Sequence, residues 1–432
     1  MPETTSIKSV FSQIRYSLQT DGVQMILGFI TSVILVRYLG PEGNGYLTKL
    51  TYGGNLILAI ASFQFFRGIP YLYEQFGSKA TSQWVSWGII GTFLISALII
   101  FLDRRSIGFF TIDKFPMLNS LLLIYVLLAL GQKCFEAYIQ VHQAFRKLWT
   151  FQWIANVGKL LITLFIAIAL TALVGTWQFF AGISAYLSGY FILLLIAWFV
   201  IHPRPRLGRP GRAFAEQAFH YAGSMWAINL LSILMINLPI WFIESDLTQD
   251  QLGVYGLALT LSGIPFTFSL SIKKVLLPYT IRLKHAYDDN CLKVIRIHNS
   301  LLLAICVLGG ILGYYLLPLM YGSAFKESAV LFPLLLVWTY FIGVSSILNT
   351  IFEARNELKL ILAIYLIITC SMLISLYLFH NGMTSITIIF SANGILMGML
   401  NIFHVVNHSR NKFSQLFLLQ KSDLKYNNST LE

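Results

Sequence analysis

Residues 149–173 read WTFQWIANVGKLLITLFIAIALTAL, a run of membrane-spanning length with one cation, Lys159, near its middle. A crossing takes about 20 predominantly apolar residues at 1.5 Å rise each. Lipid supplies no hydrogen-bond partners, so such a run must be a helix that satisfies its own backbone. A lysine held there is costly and marks either a functional site or a buried ion pair. Runs of the same kind fill the chain. Of its 432 residues, 56% are hydrophobic and 11% charged, and the mean hydropathy is +0.71. This composition excludes a soluble globular protein. The net charge of +12 is therefore read as basic loops on the cytoplasmic side rather than a nucleic-acid surface.

Twelve spans are expected. The first six are Ser17–Leu39, Tyr46–Phe66, Trp84–Leu102, Met117–Val141, Trp149–Leu173 and Trp177–Ile201. The second six are Phe219–Ile243, Gly253–Tyr279, Ser300–Leu319, Val330–Phe352, Leu358–Leu378 and Ser385–Val406. The polar N-terminus lacks a cleavage site, so the first run is read as a retained span. With both termini placed in the cytoplasm, 22 of the 30 Lys and Arg fall on cytoplasmic segments and six opposite, Lys49 among the six; Lys133 and Lys159 are intramembrane. That asymmetry fixes the orientation and demands an even number of spans. The four cysteines form no C-x-x-C pair and read as apolar fillers.

Between the sixes lies His202-Pro-Arg-Pro-Arg-Leu-Gly-Arg-Pro-Gly-Arg212, where Pro and Gly alternate with Arg and no helix can form. The expected organisation is an N-terminal bundle (1–201), a basic cytoplasmic linker (202–218), a C-terminal bundle (219–406) and a cytoplasmic tail (407–432). The halves echo each other. Pro41-Glu-Gly-Asn-Gly-Tyr46 precedes the second span, and Gln249-Asp-Gln-Leu-Gly-Val-Tyr255 the eighth. Arg67-Gly-Ile-Pro70 follows the second, and Lys274-Val-Leu-Leu-Pro278 the eighth. Gln143-Ala144 follows the fourth, and Glu353-Ala354 the tenth. The expected fold is an all-α membrane protein, about 12 transmembrane helices in two pseudo-symmetric six-helix bundles around a central cavity.

The candidate site residues are polar positions within the spans. Gln152, Asn156, Lys159 and Thr163 fall on one helix face. Ser17, Asp21, Gln24, Gly28 and Thr31 form a second stripe. Thr260, Gly263, Thr267, Ser271 and Lys274 form a third, with a kink expected at Pro265. Such stripes line a cavity or bind helix to helix. Lys159 either meets an anionic group or pairs with Glu136 or Asp21. Lys133 and Glu136, three apart, form a coupling site or an ion pair. Arg67 and Lys274, at matching cytoplasmic span ends, either snorkel or, with Arg15 and Lys159, make a positive path for phosphate. His404 and His408 lack the neighbours of a metal site. The sequons at Asn427 and Asn428 fall in the cytoplasmic tail. There is no nucleotide-binding loop, no enzyme constellation and no cofactor motif.

Leu35-Val-Arg-Tyr-Leu-Gly-Pro-Glu-Gly-Asn-Gly-Tyr46, Leu252-Gly-Val-Tyr255, Leu319-Met-Tyr-Gly-Ser-Ala-Phe325 and Gln143-Ala-Phe-Arg-Lys147 together resemble, in order and spacing, the polysaccharide (O-antigen type) flippases. That family lies within the multidrug, oligosaccharidyl-lipid and polysaccharide exporter superfamily. The resemblance implies a flippase for a polyprenyl-diphosphate-linked oligosaccharide, working by alternating access in the bacterial inner membrane. Its partners would be that lipid-linked substrate, membrane lipids and other polysaccharide-assembly membrane proteins, with no nucleic acid. Many relatives carry an aspartate in the seventh span where this chain has Asn237, which cannot titrate; Asp21 and Glu136 are then the expected intramembrane acids. The competing readings are a cation-coupled drug exporter, which would need acids in its cavity, and a glycan polymerase or ligase, which would need a long extracytoplasmic loop.

Overall fold

The structure is a computed structural model that describes residues 7–106, 116–141, 145–170, 176–200, 208, 211–282, 289–355 and 357–409. Most of the basic linker, the residues after 409 and the side chain of Arg15 lie outside the described residues. Every regular element among the described residues is helical. Eleven helices are long and apolar enough to cross a membrane. The first of these, Gln24–Ser62, has 39 residues, roughly 58 Å of helix against a hydrocarbon core of about 30 Å. It bends at Gly40, whose backbone is left-handed (φ 69°). Counted as two crossings, it restores the expected twelve, and the chain is a multi-pass membrane protein.

By compactness the chain divides into residues Val23–Gly256 and a second unit of Met1–Gly22 with Leu257–Glu432. The first unit holds most of α1 (Ile7–Thr48), α2 (Gly54–Ser62), α3 (Ile69–Ser106), α4 (Pro116–Val141), α5 (Phe145–Ala169), α6 (Thr176–Val200), α7 (Arg212–Asp246) and the start of α8 (Gln249–Ser262). Leu39, Leu50, Ile57, Tyr125, Val126 and Ile183 centre its core. The second unit holds α9 (Ile264–Arg282), α10 (Asp289–Tyr321), α11 (Lys326–Ala354), α12 (Leu358–Phe379) and α13 (Met383–Ser409). There α11 packs against α9, α10 and α13, with Trp338 stacked 3.9 Å from Phe390. Tyr321 and Phe325, from the third resembling motif, bury beside each other across the turn at Gly322.

Several expected boundaries are corrected. The helix resumes directly at Pro41, so there is no loop between Leu39 and Tyr46; proline suits a first helical position, where its missing N–H is not needed. The third helix begins at Ile69 and bends at Gly77, and its membrane-length span runs Phe76–Arg104 rather than Trp84–Leu102. The eighth breaks at Gly263, two residues before Pro265. Phe266 N–H turns to the Gly263 carbonyl at 3.1 Å. The Ser262 carbonyl released by that turn accepts the Thr339 hydroxyl at 2.8 Å. The seventh helix starts at Arg212, inside the segment expected as linker.

Lys49, expected outside the membrane, is buried and ion-paired with Glu244 of α7. Glu244 lies within an apolar span, so Asp21 and Glu136 are not the only intramembrane acids. The two junction motifs at the repeat offset meet each other. Asn44 Nδ2 donates to the Gly253 carbonyl at 2.6 Å, across a separation of 209 residues. A Cβ at Gly253 would lie 1.9 Å from the Pro41 carbonyl oxygen, so this helix crossing admits only glycine.

Two outcomes follow from this crossing. Gly253→Ala overpacks it and lowers stability by about 1–3 kcal/mol or more, read as a fall in melting temperature of detergent-purified protein. Glu244→Gln strands Lys49 and costs about 3–5 kcal/mol, whereas Lys49→Met with Glu244→Leu recovers most of it; equal loss in the single and double variants would sink the account of this pair.

Candidate functional site

A concave site lies in the Val23–Gly256 unit, where α2 ends abruptly. Phe63 and Gln64 both adopt the left-handed conformation (φ 49° and 53°). For residues that are not glycine this costs about 1–2 kcal/mol each, so the turn must be held from outside. Trp226 of α7 does so twice. Its indole stacks on Phe63 at 4.5 Å, nearly parallel, and its Nε1 donates to the Ala59 carbonyl at the frayed end of α2 (2.9 Å). The Gln64 backbone N–H is taken by Ser62 Oγ at 3.2 Å.

Beyond this turn is a cavity of about 340 Å³. Its polar wall comprises Asn55 and Gln64 from α2 and the turn, Arg67 just after it, Lys133 and Glu136 from α4, and Asn229 from α7. Arg67 donates to Asn229 Oδ1 at 2.9 Å. Lys133 and Glu136 pair at 3.3 Å, and Glu136 also accepts from Gln132 at 2.8 Å. Sequence reasoning thus found three of the wall's charged members and missed Asn55, Gln64 and Asn229. A lone glutamine inside the apolar run Ala61-Ser-Phe-Gln-Phe-Phe66 was the available signal for Gln64.

Within its own unit Lys159 has no carboxylate partner among the described residues, which removes the expected pairing with Glu136. Its Nζ sits 4.1 Å from the ring centroid of Tyr186, an attraction between cation and ring face. Tyr186 leads to Tyr190, with the hydroxyls 3.5 Å apart, and the Tyr190 ring lies 5.7 Å from that of Tyr125. The Tyr125 hydroxyl donates to Asn55 Oδ1 at 2.9 Å. A tyrosine cluster that was not read from the sequence therefore runs from Lys159 to the cavity wall.

The other stripe residues mostly bind helices. Gln24 Nε2 donates to Gln152 Oε1, joining α1 to α5. Asn156 and Thr163 return to their own helix, at Gln152 O and Lys159 O, both 2.8 Å. Thr267 does the same at Ile264 O. In the second unit Asp21 accepts from Ser271 and pairs with Lys274 at 3.3 Å, so two separately expected residues neutralise each other. Lys273 pairs with Glu353 at 2.6 Å, a contact unforeseen from sequence. No group of three or more potential metal-ligating residues gathers among the described residues.

Apolar crossings, paired intramembrane charges and a polar cavity with cations on its wall define a multi-pass membrane protein with an internal polar site. The chain belongs to the polysaccharide biosynthesis protein family, which it matches over residues 34–330. No curated protein sequence matches it. Among solved structures it is similar to the lipid II flippase MurJ in an inward closed conformation (14% identity, TM-score 0.69, covering 93% of this chain and 89% of that one). It is also similar to an inward-facing multidrug resistance MATE family transporter of the MOP superfamily (12%, TM-score 0.65, 91% and 95%). A third is the Vibrio cholerae MATE transporter VcmN (14%, TM-score 0.64, 95% and 99%). The fold and the resemblance to a polysaccharide family are thereby borne out.

If the Gln24–Gln152 contact binds helices rather than substrate, a double-mutant cycle with leucine at each position should give a coupling of roughly 0.6–1.7 kcal/mol in thermal unfolding. A coupling near zero would release both side chains for another role.

Proposed function

We propose that this protein is a flippase that moves a polyprenyl-diphosphate-linked oligosaccharide, an O-antigen or exopolysaccharide repeat unit, across the bacterial inner membrane. The observation that carries this reading is Lys159. It is a cation in a membrane-length helix, held by an aromatic face and not by an acid. A desolvated ammonium without a counter-charge attracts an anion strongly, and the diphosphate is the anionic part of such a substrate. Arg67, hydrogen-bonded to Asn229, and Lys274, neutralised by Asp21, contribute less, and Arg15 completes the set on sequence grounds alone. Membership of a polysaccharide biosynthesis family and likeness of fold to a lipid II flippase support a lipid-linked glycan over a soluble solute.

The topology proposed with it places both termini in the cytoplasm, residues 1–201 and 219–406 as six-span halves, and residues 407–432 as a cytoplasmic tail. The two halves alternate access to either face. A second reading, a cation-coupled drug exporter, is favoured by the likeness to MATE transporters. The excess of basic over acidic residues speaks against a cationic substrate.

The test is reconstitution in liposomes with a fluorescent polyprenyl-diphosphate oligosaccharide, read by accessibility from the outer leaflet. Wild type should flip it. Lys159→Ala should lower the rate by roughly two orders of magnitude, the scale of a lost charge-assisted contact, and Lys159→Arg should keep part of it. Equal loss in both variants with normal folding would take the diphosphate role from Lys159. Extrusion of a cationic dye without any lipid flipping would replace the flippase with the exporter.

A further inference from the structure

The cavity behind the Phe63–Gln64 turn has a chemistry that a diphosphate does not explain. Arg67 and Lys133 face one acid, Glu136, so its wall carries a net charge of only +1, against about two negative charges on a diphosphate ester. Arg67 is already engaged by Asn229, and Lys133 by Glu136. A carboxylate is disfavoured for the same reason, since Glu136 would repel it.

What the wall offers instead is amides. Gln64 is only 3% exposed, lines the cavity, and its side-chain amide has no hydrogen-bond partner among the described residues. An amide at a cavity wall with no protein partner keeps its donors and acceptor for whatever enters the cavity. It sits, moreover, on a strained turn that two contacts from Trp226 hold in place, and strain of this kind gathers at ligand clamps. Asn55 gives its oxygen to Tyr125, which leaves its N–H groups on the cavity side of the account. The rest of the lining is apolar: Leu58, Ala59, Phe66, Ala137 and Ile233.

We propose that this cavity is a subsite for an N-acetylated sugar ring of the transported glycan. A trans acetamido group points its C=O and N–H in opposite directions, so it needs donors on one wall and an acceptor on another. Asn55 and Gln64 supply the donors from α2 and its turn. Glu136 supplies the acceptor from α4, a different helix. The acetamido methyl, which has no polar partner to seek, meets the apolar part of the lining. At about 340 Å³ the cavity is at the low end of small-molecule pockets, the size for one ring with its substituent and not for a whole repeat unit. A site built to hydrogen-bond an amide rejects analogues that lack it, because its own buried polar groups are then left unpaired. The subsite therefore selects the glycan, whereas Lys159 takes the diphosphate; the inference rests on the flippase reading.

The experiment is saturation-transfer NMR on the full chain in lipid nanodiscs with three methyl β-D-glycosides: of N-acetylglucosamine, of glucose and of glucuronic acid. The acetamido glycoside should bind roughly tenfold or more tightly than the other two, with the strongest transfer to its acetyl methyl, and that preference should vanish in Gln64→Leu. Gln64→Glu serves in its place if the leucine variant does not fold. Equal or better binding of the glucoside or glucuronide, an acetamido preference that survives at position 64, or no binding of any glycoside up to about 50 mM each overturns the subsite. Liposome flipping separates the two claims. Flipping that proceeds without acetamido binding sinks the subsite alone, and acetamido binding without any flipping sinks the transport reading alone.

Discussion

A backbone inside hydrocarbon has no water to fall back on, so each place where a helix breaks must find a side chain to close the gap. Three of the breaks meet that constraint with a side chain from another helix. At the Gly40 bend the Tyr38 carbonyl accepts from Gln178. At the end of α2 the Ala59 carbonyl accepts from Trp226. At Gly263 the Ser262 carbonyl accepts from Thr339. In each case the donor comes from a helix distant in sequence. The breaks are therefore also the points where one helix is pinned to another, and the Trp226 pin is what makes a cavity possible beside Phe63 and Gln64.

The same constraint explains what the sequence disclosed. Spans are long apolar runs, and their existence and order were legible because length and hydropathy are local properties; α4, α6 and α12 lie within a residue or two of expectation. Breaks were legible only where Gly or Pro advertised them. Gly40 did, though its bend replaced an expected loop. Pro265 did too: a proline breaks a helix on its N-terminal side, and the break falls at Gly263, where Thr339 takes the released Ser262 carbonyl. The turn at Phe63–Gln64 had no such signal, since neither residue favours a positive φ and the support comes from an aromatic ring 163 positions away in the chain.

Charges divide in a similar way. The Lys133–Glu136 pair was legible, being three residues apart on one helix. Lys49 with Glu244, Asp21 with Lys274 and Lys273 with Glu353 join different helices, and no helical spacing encodes them. The intramembrane polar stripes likewise mixed two populations that periodicity cannot separate. Gln24 and Gln152 spend their amides on each other, whereas Lys159 does not spend its charge on an acid.

That contrast bears on which residues are adapted to a ligand. A membrane protein can satisfy nearly every buried polar group internally, and this one does so for most of its intramembrane charges. Two groups beside cavity or ring surfaces stand apart from those pairs. Lys159 rests on a ring face, which holds a cation while neutralising none of its charge. Gln64 lines the cavity with its amide unspent, on a turn that costs energy to keep. One is cationic and the other is neutral and bifunctional. A lipid-linked glycan is made of those two kinds of group, a charged diphosphate and uncharged sugars, so the division of labour between Lys159 and the Gln64 cavity matches the division of chemistry along such a substrate.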